Sequence, residues 1–432
     1  MTDGAESLVA ASVRSESRSW IEANWDPDLS LIDWRIRLAD SGWGCPSWPS
    51  RWCGRGLPAS AADVVAEELT RAGAVGIPDG VGMHLATPTL LEHGSDDLKS
   101  RLIRPTVTGE ITWCQLFSEP GAGSDLAGLT TRAVRDGGEW VVSGQKVWNT
   151  SATHADYGLL VARTDWEVPK HQGITYFVIP MDQPGVEVRP LRQMNGHASF
   201  NEVFFDDARI PEANRVGEVG QGWAVALATL AHERRYAVMA TATPPAAATG
   251  RATREAWAER AVVYEPYKWY PQRAGRVDLV VERATATGAN RDPVVRQEIA
   301  RLLARARAAG WTAQRARAAR ALGRPPGPEG SLGKLAASQV ARASSRVHTR
   351  IAGASGMLSG PDSPQGGTIA EIFVSVPAVS IAGGTDEIQR NIVGERVLGL
   401  PREPDPSHQL PFRDVAKNPS PGAVADRPVT RG

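Results

Sequence analysis

The chain has little cysteine, no excess of either charge and no long apolar run. Cys45, Cys53 and Cys114 are its three cysteines in 432 residues. An odd count cannot form a fully paired disulfide framework, and no pair has the C-x-x-C spacing of a metal site. No metal is expected, and a reducing cytoplasm is the expected compartment. No segment approaches the roughly 20 apolar residues of a membrane span. The first residues lack the basic and apolar regions of a signal peptide. Lys plus Arg equals Asp plus Glu at 48 each, which speaks against a nucleic-acid binder. No G-x-G-x-x-G follows a strand pattern, so a Rossmann dinucleotide site has no support. There is no internal repeat.

Hydrophobic content of 42% and charge of 22% are those of a globular protein. The length predicts more than one domain. Up to residue 112 the pattern is mostly helical. In "SAADVVAEELTRAGA", Val64, Val65, Leu69 and Ala72 fall at helical spacing behind Ser60, an expected N-cap. Pro105 is expected to end the helix that starts near "HGSDDLK". From 113 to 218 the runs become short, β-branched and aromatic, divided by Gly, Pro and Asp, as in an antiparallel β domain. "QKVWNT" alternates there, with one face packed and one open. Helices return over 219–403. "PVVRQEIARLLARARAAGWTAQRARAARAL" carries an apolar stripe of Val295, Ile299, Leu302, Leu303 and Ala306. The last helix starts at Thr385, an expected N-cap, and is closed by Pro401. Residues 404–432 are rich in Pro, Asp and Ser and are expected to be a disordered tail. The class is therefore α+β: helices, a central antiparallel β domain, then helices.

Two stretches carry the chemistry. "LFSEPGAGSDLAGLTTRA", followed by "GQKVWNTSA", places a Gly-rich turn between polar residues, where backbone N–H groups can approach a ligand closely. "GGTDEIQRNIVGERVLGLPRE" opens a helix with hydroxyl and carboxylate groups. Together these stretches resemble the acyl-CoA dehydrogenase family of FAD-dependent flavoproteins, over about residues 30 to 403. The resemblance implies an N-terminal helical domain, a central β domain and a C-terminal four-helix bundle. It also implies a tetramer with FAD bound partly across a subunit interface, as a homotetramer or as a heterotetramer with a related subunit. By resemblance, Leu116, Phe117 and Ser118 lie along the flavin's pyrimidine edge. Trp148 packs on the flavin and Thr150 bonds near its hydride-accepting nitrogen. Ser124 contacts the CoA ester. Thr385 and Glu387 hold cofactor phosphate or ribose. Gly353, in "GASG", faces the adenine half of a neighbouring subunit's cofactor. The implied reaction is α,β-dehydrogenation of an acyl-CoA to the trans-2-enoyl-CoA, with electrons passed to an electron-transfer flavoprotein.

Many family members carry the proton-abstracting Glu just before the Gly-Thr of the closing motif. Here that position is Gly383. A second branch, of the isovaleryl-CoA dehydrogenase type, carries its Glu after the β domain in a pattern like L-x-x-E-R. "TLAHERRYAVMA" matches it with Glu233 and Arg234. Leu227, Leu230 and Ala231 make the surrounding helix apolar, and burial raises a carboxyl pKa as a carbon-acid base requires. Glu233 is the expected base and Arg234 an expected CoA-site positioner. Tyr236 and Met239, on the same helix, are candidates for limiting the acyl chain. His232 is expected to be packed or exposed rather than catalytic.

One departure stands out. The family's R-x-x-F-G motif, which reaches another subunit's cofactor, has no counterpart in residues 243–277. That segment is expected to be an irregular surface excursion, with Arg273, Arg276, Trp269 and Tyr270 as the alternative cover for a cofactor or substrate. The departure keeps open a non-catalytic subunit of a heteromeric dehydrogenase, and "FSEPGAGSD" does not separate the dehydrogenase from a flavin oxidase or monooxygenase on the same fold.

Overall fold

The computed structural model describes residues 2–236, 249–321 and 329–416. It divides the chain into two compact units. One comprises Met1–Leu191, Ser199–Pro266 and Pro406–Gly432; the other comprises Arg192–Ala198 and Tyr267–Asp405.

The first unit opens with helices α1 (Thr2–Asn24), α2 (Leu31–Ser41), α3 (Ala61–Arg71), α4 (Thr87–His93) and α5 (Asp96–Thr108). Fully buried Trp34 stands between Trp20 and Trp25, with ring centroids 5.7 and 4.8 Å away, and its Nε1 donates to Val75 O at 2.6 Å. This cluster accounts for several of the chain's 14 tryptophans. Two expectations fail here. Ser60 makes no side-chain cap: it is already in the right-handed helical region (φ −62°, ψ −20°), whereas a capping residue needs an extended backbone. Nor does Pro105 end α5, which runs on to Thr108 before Gly109 at φ +84°. A proline removes one donor, and the turn survives because the Thr106 and Thr108 hydroxyls donate to the Leu102 and Arg104 carbonyls.

Eight strands follow: β1 (Trp113–Leu116), β2 (Arg132–Asp136), β3 (Glu139–Thr150), β4 (Tyr157–Arg163), β5 (Ile174–Pro180), β6 (Val186–Leu191), β7 (Phe200–Pro211) and β8 (Arg215–Val216). Their order is β6-β7-β3-β2-β4-β5-β8, with β1 beside β4. The sheet is mixed rather than purely antiparallel, because β1 runs parallel to β4. The apolar run of β4 is buried on both faces. Leu160 and Ala162 enter the core formed with Phe177, Val203 and Phe205, while Leu159 and Val161 pack with Leu90, Leu98 and Leu102 of the helices.

Helices α6 (Gly222–Tyr236) and α7 (Arg251–Tyr264) belong to this first unit, although the sequence pattern assigns residues 219–403 to the C-terminal bundle. Val225 and Ala226 of α6 join the core with Leu159 and Val178. The segment expected to be irregular is helical in α7. Glu255 accepts from Leu31 N at 2.7 Å, and Glu259 takes Arg35 in a bidentate pair at 2.6 and 3.0 Å.

Residues 406–416 also belong to this unit, which corrects the expectation of a tail that is disordered from 404. Phe412 is buried, its N–H donates to Val168 O, and the Arg163 guanidinium lies over its ring at 3.4 Å. Residues 417–432 lie outside the described residues.

The second unit holds α8 (Tyr270–Arg273), α9 (Val280–Ala286), α10 (Pro293–Ala321), α11 (Glu329–Ala352), α12 (Thr368–Ser375) and α13 (Asp386–Arg396). Val295 and Leu302 of the expected stripe are buried against Val280, Val347 and Ile351, with Ile299 packed beside them. Helix α13 ends at Arg396, before Pro401.

Candidate active site

Within the first unit the end of β1 is stitched to β3. Val147 N donates to Ser118 O at 2.9 Å. Lys146 Nζ reaches Phe117 O at 2.9 Å, and Asn149 Nδ2 reaches Gln115 O at 2.7 Å. Below the Gly-rich turn, Glu119 Oε1 accepts from Lys146 Nζ (2.9 Å) and Thr131 N (2.8 Å), and Oε2 from Thr130 N (2.7 Å). Both partners of this ion pair are buried. Burial alone would raise the Glu119 carboxyl; Lys146 and the Thr130 and Thr131 donors outweigh it and hold it at about 2. The turn itself closes through reciprocal backbone bonds between Glu119 and Ala122.

The alternation of "QKVWNT" is broken by a β-bulge between Val147 and Asn149 in the pairing with β7. Trp148 is the bulged residue. Its backbone is left-handed at φ +66°, and its indole is 57% exposed, edge-on to Phe200 with centroids 5.7 Å apart. A bulky residue held left-handed costs on the order of 1–3 kcal/mol and persists only where its surroundings enforce it. Asn149 on one side and Val147 on the other supply that enforcement, and Asn201 Nδ2 adds a bond to Asn149 O at 2.7 Å.

Glu233 sits on α6, half-buried, and its Oε2 accepts from Gln115 Nε2 at 3.2 Å. The carboxylate is therefore turned toward β1, one residue before Leu116. His232 beside it is buried and lies 3.1 Å from Glu92, in keeping with a packed histidine. The side chains of Arg234 and Tyr236, and Met239 altogether, lie outside the described residues. Leu116 and Phe117 are buried, Ser118 and Thr150 are partly exposed, and Ser124 is exposed on the Gly-rich turn. The first unit thus holds Leu116, Phe117, Ser118, Ser124, Trp148, Thr150 and Glu233.

Gly353, Thr385 and Glu387 lie in the second unit. Thr385 caps α13, its hydroxyl accepting from Ile388 N at 3.2 Å, and exposed Glu387 pairs with Arg390 at 3.1 Å. Gly353 has φ +57° at the end of α11. It borders a cavity of about 660 Å³ with Arg301, Arg305, Arg346, Arg350 and Phe373. Glu298 lines the same cavity and pairs with Arg350 at 3.2 Å. Gly383 has φ +69°, and a Cβ there would meet nothing within 4 Å. The proposed cover from 269–276 is committed elsewhere: Trp269 is buried, Arg273 lies over Trp269 and Tyr270, and Arg276 pairs with Asp278.

Sequence reasoning missed Gln115, Lys146 and Asn149. "QKVWNT" contains the last two, but the bulge that assigns their faces is not visible in it.

Models of the acyl-CoA dehydrogenase N-terminal, middle and C-terminal domains match residues 1–110, 114–208 and 274–398. The acyl-CoA dehydrogenase IpdE1 of Mycobacterium tuberculosis is 36% identical over 379 residues, covering 86% of this chain and 88% of that protein. The chain belongs to the acyl-CoA dehydrogenase family. Membership assigns it to the oxidoreductases that act on a CH–CH group and implies a flavin cofactor. Acyl-CoA dehydrogenase FadE34 of Mycobacterium tuberculosis is also 36% identical, over 85% of this chain, but the match spans only 46% of FadE34. A solved structure described as the Tcur3481-Tcur3483 steroid ACAD is 27% identical, with a TM-score of 0.64 over 92% of this chain and 98% of that one.

A flavin fits what is present. Trp148 offers an exposed, strained aromatic face, and Ser118 and Thr150 lie at the joined ends of β1 and β3. Among the described residues no group of His, Cys, Asp or Glu could hold a metal ion, and no helix is long and apolar enough to cross a membrane.

Proposed function

We propose that the chain removes the α and β hydrogens of an acyl-CoA thioester to give the trans-2-enoyl-CoA, with Glu233 as the base. The observation that carries this reading is the hydrogen bond from Gln115 to Glu233. It places a carboxylate of α6 beside the strand that continues into Leu116, Phe117 and Ser118.

In this reading FAD, when bound, would supply the acceptor for the β hydride. Leu116, Phe117 and Ser118 would hold its pyrimidine edge, Trp148 its ring system, and Thr150 would bond beside it. Gly353 would face the adenine half of a neighbouring subunit's cofactor. Thr385 and Glu387 meet phosphate or ribose. Ser124 and Arg234 position the CoA ester. Glu233 takes the proton at the thioester's α carbon. Partial burial lowers the hydration that proton transfer from a weak carbon acid must overcome. Gly383, at the position where many family members carry the base, cannot take a proton. The steroid description of the similar structure supports a fused-ring acyl group as the class to test first.

An electron-transfer flavoprotein is the proposed electron acceptor. The assembly is a homotetramer or a heterotetramer with a related chain, and the paired name of the Tcur3481-Tcur3483 structure favours the second.

Replacing Glu233 with Gln tests the base. The variant should keep bound flavin, seen in its visible spectrum, and lose bleaching by octanoyl-, isovaleryl- and steroidal acyl-CoA esters. Full bleaching by Glu233→Gln would reject the assignment.

A further inference from the structure

We infer that Gln115 is a positioning residue for Glu233 and ties the base to the strained bulge at Trp148. The inference rests on the proposed role of Glu233. An ionised carboxylate has only acceptors to offer, so the atom of Gln115 that faces it is the amide NH2. That group donates to Glu233 Oε2 at 3.2 Å. The backbone of the same residue is held independently, since Gln115 O accepts from Asn149 Nδ2 at 2.7 Å. Asn149 in turn follows Trp148, and its carbonyl is fixed by Asn201 Nδ2 at 2.7 Å.

A short covalent and hydrogen-bonded path therefore runs from the Glu233 carboxylate through Gln115 and Asn149 to the residue expected to pack on the flavin. It lies wholly within the first unit. A glutamate side chain has three rotatable bonds. A donor on one of its oxygens restricts the rotamers open to it. Fixing the base relative to the ring is what a step that removes two hydrogens from adjacent carbons requires, and small misplacements of catalytic groups cost large factors in rate. The strand pattern alone would suggest only that Gln115 is a partly exposed residue of β1.

Two side-chain variants leave the Gln115 carbonyl, and hence the Asn149 bond, in place. Gln115→Leu removes the donor; Gln115→Glu is isosteric and sets a second carboxylate against the base. In the flavin-loaded full chain, with the fastest of the octanoyl, isovaleryl and steroidal esters, Gln115→Leu should lower kcat roughly tenfold or more, since the lost bond is to a charged group. KM should change little, and the flavin spectrum and thermal midpoint should match wild type. Gln115→Glu should lose more than Gln115→Leu at neutral pH. In a Glu233→Asp background, whose shorter carboxylate falls short of the amide, Gln115→Leu should change kcat less than twofold. A kcat within twofold of wild type for both single variants would overturn the inference, as would an equal loss in both backgrounds. If Glu233→Gln itself stays active, the base assignment has failed. If Glu233→Gln is silent while the Gln115 variants turn over normally, only the positioning role has failed.

Discussion

Trp148 shows most directly how a single residue here sacrifices stability for presentation. Its left-handed backbone is disfavoured for any side chain with a Cβ, and its indole is more than half exposed. Glycine would adopt that conformation without strain. Trp148→Gly should therefore melt no lower than wild type in flavin-free protein, and about 1 kcal/mol of relieved strain is available. The same variant should bind flavin roughly tenfold more weakly, because a stacked aromatic contact contributes about 0.5–1.5 kcal/mol beyond the area it buries. Paired melting and flavin titration check both halves. Glu233 was legible as a residue because a short motif carries it. Its donor was not, because Gln115 is distant in sequence and meets it only when β1 and α6 pack.

At the scale of elements, the β1–β3 junction depends on an ion pair that hydrophobic patterning does not anticipate. Lys146 and Glu119 are both buried, and each also bonds to backbone of the Gly-rich segment. Removing one partner of a buried pair leaves the other uncompensated and costs about 3–5 kcal/mol. Lys146→Met should lose about that much in urea unfolding, while the double variant Lys146→Met with Glu119→Gln should recover part of it. The pH dependence has a definite sign. The Glu119 carboxyl is held at about 2, below the roughly 4.3 of an unfolded glutamate. Its contribution is fully present above the unfolded value and is lost as pH falls toward 2. Unfolding free energy should decline over that window in wild type and decline less in the double variant. The helix ends tell a related story. Thr385 is a cap as expected, whereas Ser60 is not, because capping depends on the backbone angle of one residue and composition does not fix that angle.

Across the whole molecule, the largest departure from the sequence pattern lies in what belongs with what. A polar, Pro-rich ending reads as disordered, yet Phe412 lies buried under Arg163, which also donates to the carbonyls of Ala127, Leu129 and Lys170. The tail thereby packs on the residue that pins the segment following the Gly-rich turn. Deleting residues 404–432 should lower the thermal midpoint by several degrees, and Phe412→Ala alone should cost about 3 kcal/mol in the first unit. An unchanged melting curve for both would refute the packing role. Helix α7 similarly joins the first unit through Glu255 and Glu259, bonds that no local periodicity announces.

The sequence by itself determined the family and the helix–strand–helix order, and its motifs named Ser118, Trp148, Glu233 and Thr385 as the residues to test. Periodicity and short motifs are local, and local chemistry suffices for them. Tertiary structure alone decided the face that Lys146 and Asn149 present, the donor that holds Glu233, and the placement of α6, α7 and residues 406–416. Each of those depends on a bulge, a buried charge or a contact between segments far apart in the chain. Their free energy appears only after the intervening residues have folded.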